Sequence, residues 1–129
     1  MAKEVLLESD ITAGARLIEE LDKKGADVSA ALWFFYPDLS EWKLLLVSPT
    51  FEKNGLTASY TMVSEVISSI GDVNKSISID NMKIVQNNDP MMRLLKGIVR
   101  TGKGLNTIRM TSNMMNGIYV QDALIYRNT

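Results

Sequence analysis

The stretch Asp27–Ser48, DVSAALWFFYPDLSEWKLLLVS, decides the fold. From about Asp27 to Tyr36, Val28, Leu32, Trp33, Phe34 and Phe35 fill both sides of an extended run, which predicts a strand central in its sheet. Pro37-Asp38-Leu39-Ser40 has turn chemistry. A second strand, Glu41–Ser48, then returns with Trp42, Leu44, Leu45, Leu46 and Val47. The two form a hairpin anchored by Trp33 and Trp42. A hairpin apolar on both faces needs two covers: helices on both sides, or helices on one and a second copy of the chain on the other. Burial within one chain is the simpler solution, and self-association through this hairpin is the alternative.

Outward from the hairpin, Ser9 or Asp10 caps a first helix with Ile11, Ala15, Leu17, Ile18 and Leu21 on its apolar side, ending at Gly25. After Pro49, Asn54-Gly55 leads into a second helix carrying Leu56, Tyr60, Val63, Ile67 and Ile70, closed by Gly71. Residues 76–86 read as a third strand whose alternation slips at Asp80-Asn81, where a bulge or bend is expected. Asp89-Pro90 starts a third helix that buries Met91, Leu94, Leu95, Ile98 and Val99. Gly102 and Gly104 release the chain into a closing hairpin, residues 106–113 and 117–127, turned at Asn116-Gly117. The order α-β-β-α-β-α-β-β predicts one α+β domain over residues 1–129. Its sheet is mixed, mostly antiparallel and five-stranded, with three helices packed on it.

Composition narrows the chemistry. The 129 residues hold no histidine and no cysteine, although 46% are hydrophobic. A histidine base, a Cys–His pair, a cysteine or histidine zinc site and a disulfide framework are therefore excluded. The formal net charge of −1 and a charged fraction of 22% suit a globular chain rather than a disordered one. The longest apolar run, Ala30–Tyr36, is too short to span a bilayer, and the acidic start MAKEVLLESD does not read as a signal peptide. These features predict a cytoplasmic protein without membrane, metal or cofactor.

Two motif matches fail on context. Pro37-Asp38 followed by Glu41-Trp42-Lys43 has the residue types of a metal-dependent nuclease, in which carboxylates hold a divalent ion and the lysine helps the attacking water. Such sites place the two halves on neighbouring strands, whereas Asp38 sits in a turn. Gly97-Ile-Val-Arg-Thr-Gly102-Lys103-Gly104 resembles a phosphate loop, but it leaves a helix instead of opening one and lacks the magnesium-binding hydroxyl.

A basic stripe is the stronger feature. No acidic residue lies between Pro90 and Gln121, while Arg93, Lys96, Arg100, Lys103 and Arg109 do. Helical spacing puts Arg93, Lys96 and Arg100 on one face, with Lys103 continuing the line. Residues 1–60 hold 6 basic and 10 acidic side chains, net −4, and residues 61–129 hold 8 and 5, net +3. Such polarity suits docking of an acidic protein surface or nucleic-acid phosphates. No aromatic residue interleaves with the cations, which argues against a single-strand stacking platform. Asp122, between Val120 and Leu124, faces the core under strict alternation; a bulge that turns Ala123 and Ile125 inward moves it out. The expected function is a non-enzymatic binding module of inhibitor, immunity or adaptor type using the five cations. The alternatives are a phosphodiesterase built on Asp38, Glu41 and Lys43, and a structural subunit of an assembly.

Overall fold

The computed structural model describes residues 3–71 and 76–129. Helix α1 (Glu8–Lys23) precedes the hairpin of β1 (Ala30–Tyr36) and β2 (Glu41–Val47). Two helices follow, α2 (Pro49–Asn54) and α3 (Leu56–Ser69). A short 3-10 turn, Ile79–Asn81, leads to β3 (Met82–Ile84), then α4 (Pro90–Lys96) and the closing hairpin β4 (Ile108–Met115) and β5 (Ile118–Asn128). The sheet runs β3-β2-β1-β5-β4, antiparallel except for the parallel β2–β3 pair. The expected element order and mixed sheet are both present.

Four helices replace the expected three. Ser48 accepts from the Phe51 amide and Pro49 occupies the first turn, so the residues that end β2 also start α2. The long third strand shrinks to three residues because the 3-10 turn occupies the place where the alternation slips. Helix α1 begins two or three residues early, with Leu7 at its N-cap: Asp10 is not its cap but its carboxylate accepts from the Leu7 amide at 2.8 Å and pairs with Lys3.

The sheet is covered on both faces. Ala31, Trp33, Leu44, Leu46 and Leu124 pack against Leu17, Ile18 and Leu21 of α1 and Val63 and Ile67 of α3. On the other face, Ala30, Leu32, Phe34, Leu45 and Val47 meet Met92 and Leu95 of α4 together with Met110, Met115 and Val120 of the last hairpin. The two-sided hydrophobicity of the first hairpin is thus satisfied within one chain. Helix α4 carries the chain across the second face, from the β3 edge to the β4 edge.

The first cover is locked by a buried polar relay. Trp33 Nε1 donates to the Tyr126 hydroxyl at 2.9 Å, and that hydroxyl donates to the Ile11 carbonyl of α1 at 2.6 Å. Gly14 permits the approach, since a Cβ there would lie 2.4 Å from the Tyr126 oxygen. A bulge helps: Ala31 pairs with Arg127 but Leu32 pairs with Ile125, leaving Tyr126 as the extra residue. Both Tyr126 and Arg127 can then reach α1, where Arg127 holds Asp22 at 2.9 and 3.0 Å and also donates to the Val28 carbonyl.

The last hairpin changes phase midway. Ile118 and Val120 face α4, yet so do Ala123 and Ile125, three and five residues beyond Val120. The β4–β5 register continues unshifted from the Thr111–Asp122 rung to the Asn113–Val120 rung, but Ser112 between them has φ +47°. A straight strand from Ile118 to Asn128 would span about 33 Å. Asn128 bonds the Val99 carbonyl, while Gly97 and Ile98, at most about 7 Å away along the chain, share a groove with Met114–Asn116 at the tip. The hairpin therefore bends over α4 and completes the second cover.

Gly14→Ala should cost about 1–3 kcal/mol in urea unfolding because the methyl group collides with Tyr126. Tyr126→Phe should cost a similar amount, about 1–3 kcal/mol, by stranding the Trp33 donor and the Ile11 acceptor. In the Tyr126→Phe background the Gly14→Ala penalty should shrink, and simple additivity would contradict the relay. Burial also raises the Tyr126 phenol above its ordinary value of 10.0. The unfolded chain therefore releases that proton first, so this contribution is intact below pH 10 and falls as pH rises further. Tyr126→Phe should flatten the alkaline loss of stability measured by thermal melting.

Candidate functional site

The five predicted cations do not form one stripe. Helix α4 stops at Lys96, and Gly97 takes the C-cap, so only Arg93 and Lys96 are helical. The stripe required the helix to pass through Gly97, where residues poorly suited to a helix interior intervene. Arg100 and Lys103 lie beyond the helix, in the connection that runs beside the end of β5. There Thr101 donates to the Asn128 carbonyl and Asn106 to that of Tyr126. Arg100 reaches the Thr129 carbonyl at 3.5 Å, and Lys96 holds Asn87. Lys103 lines a separate cleft of about 130 Å³ with Asp22, Asp27, Arg127 and Thr129, in which Asp22 is held by Arg127.

Arg109 lies on the other side of the sheet. Its guanidinium grips Asp122 bidentately at 2.6 and 2.7 Å and lies 5.6 Å from the Trp42 ring centroid. The hydrogen bond to Asp122 raises the Arg109 pKa further above its ordinary value. The phase change answers the question about Asp122: Ala123 and Ile125 turn toward α4, and Asp122 turns to the opposite face beside its arginine. The two residues are each other's ion partner at the surface.

Among the described residues, Arg93 makes no side-chain hydrogen bond or ion pair. It borders a groove of about 380 Å³ with Leu94, Gly97, Ile98, Met114, Met115 and Asn116. Ile98 is 51% exposed and Met114 64% exposed, and among the described residues no carboxylate lines the groove. The groove is the seam where the bent hairpin tip meets the end of α4. Stripe reasoning found Arg93 but missed Met114. The available signal was Met114-Met115, since adjacent strand residues face opposite ways and only one of the pair can enter the core. Met115 is the buried member.

Of the nuclease-like residues, Glu41 and Lys43 meet each other, and among the described residues no ion pair or hydrogen bond joins Asp38 to them. Asp38 is exposed in the β1–β2 turn. Glu41 pairs with Lys43 at 3.4 Å, and Lys43 also donates to the Asp80 carbonyl. Among the described residues, no three Asp, Glu, His or Cys side chains converge as a metal-binding group. None of the described helices is long and apolar enough to cross a membrane. No protein-family model, curated protein or solved structure matches this chain.

Removing the Asp122 carboxylate should be mild. Asp122→Ala is expected to cost less than about 1 kcal/mol in urea unfolding, with the difference shrinking at high salt, as for other exposed ion pairs. A loss several times larger would show that Asp122 has a role beyond its hold on Arg109.

Proposed function

We propose that this chain is a cytoplasmic, non-enzymatic binding module that docks an acidic segment of a partner protein in the groove between α4 and the β4–β5 tip. The reading rests on one coincidence: an unpartnered Arg93 borders two strongly exposed apolar side chains, Ile98 and Met114. Isolated exposed residues of either kind are ordinary, but a cation beside an apolar trough fits an acidic segment with a hydrophobic anchor. Arg93 would hold a carboxylate, and Ile98 and Met114 would bury the anchor. Lys96 and Arg100 add attraction at longer range. The apolar wall favours a protein segment over a nucleic-acid backbone, which needs successive cations along its track. An inhibitor, an immunity protein or an adaptor would each work through such a surface.

Selection from a random peptide-display library on the intact protein tests this. The selected peptides should carry Asp or Glu around an aliphatic or aromatic anchor, and their affinity should fall as salt rises. Arg93→Glu and Ile98→Glu should each weaken binding by about tenfold or more, with circular dichroism unchanged. Neutral or basic selected peptides, or affinity indifferent to both substitutions, would overturn the proposal.

A further inference from the structure

The two edges of the sheet are treated differently. At the β3 edge the strand has only three residues, and its Ile84 amide donates to the Tyr60 hydroxyl of α3 at 2.9 Å. Farther along β2, the Trp42 amide donates to the Lys3 carbonyl, so the N-terminal segment covers that part too. The β4 edge has eight residues without proline or lysine, two devices that keep strand edges from pairing. Its one charge, Arg109, is occupied by Asp122. Among the described residues, no hydrogen bond from outside β5 reaches the backbone of Ile108–Met115. Ser112, with φ +47°, divides this open edge into Ile108–Thr111 and Asn113–Met115.

Met114 and Met115 belong both to the open edge and to the groove wall. We propose that the acidic segment anchored in the groove continues as an added sixth strand, pairing its backbone with Asn113–Met115. This rests on the docking reading above and specifies its form. An extended segment is what an unpaired strand edge recognises, through main-chain hydrogen bonds, with side-chain pockets supplying selectivity. Its acidic character follows from the free Arg93 and from the absence of any carboxylate between Pro90 and Gln121. Bound this way, alternate amides of the segment point at β4 and the others at solvent.

The test uses the intact protein and the tightest acidic peptide from the display selection. Two synthetic versions carry N-methyl groups on alternate amides, one version in each phase. Methylation in one phase should cost about tenfold or more in affinity, while the other phase changes it little. Amide exchange at Asn113–Met115 should slow when the unmodified peptide binds. Equal tolerance of both methylated versions, with Arg93→Glu still damaging, would overturn strand addition and leave groove docking standing. Indifference to Arg93→Glu as well would overturn both. A dimer of the free protein in sedimentation, with Asn113–Met115 already protected, would assign the edge to a second copy and overturn the proposal.

Discussion

A strand that is apolar on both faces must be covered twice, and the rest of this architecture follows from meeting that demand with unequal resources. The first cover of β1 is ample: α1 and α3 lie on it, and the Trp33–Tyr126–Ile11 relay fixes α1 in place. The second has only seven helical residues, Pro90–Lys96. Helix α4 cannot close that face alone. The last hairpin supplies the remainder by changing phase at Ser112 and bending so that Met115, Ile118 and Val120 join the second core.

A cover made from two pieces has a seam, and at this seam a cation and two exposed apolar side chains lie together. Ile98 follows the end of α4 and Met114 stands beside the core-facing Met115, so neither can be buried by the pieces that meet there. Arg93 lies on the outer side of the same short helix, and among the described residues no carboxylate pairs with it or lines the groove. Elsewhere on the described surface several cations are paired. Arg109 holds Asp122, Arg127 holds Asp22, Lys3 holds Asp10 and Lys43 holds Glu41. Among the described residues other cations, such as Lys24 and Lys53, are also unpaired, but Arg93 borders a groove with two exposed apolar side chains, Ile98 and Met114.

Features carried by local chemistry were legible in the sequence. The first hairpin, the Asn116-Gly117 turn and the Asp89-Pro90 helix start each declare themselves within a few residues. Helix α2 did not, because six residues are too few for a helical period, although Ser48-Pro49 held a cap and a first-turn proline. The end of α4 was misplaced for a related reason: Ile98 and Val99 continue the apolar pattern after the helix has stopped at Gly97. The site suffered most from long-range geometry. Arg109 and Asp122 are thirteen residues apart and meet only once the β4–β5 register is known. The bent hairpin tip that turns Arg93 from one cation among five into the border of a groove has no signature in residues 90–100.

Amide chemical-shift mapping of the intact protein, titrated with a partner captured from its host, tests the central claim most directly. The account predicts that the perturbed residues cluster at Arg93–Ile98 and Asn113–Gly117. A cluster at the β1–β2 turn around Asp38, or in the cleft of Asp22, Asp27 and Lys103, would contradict it.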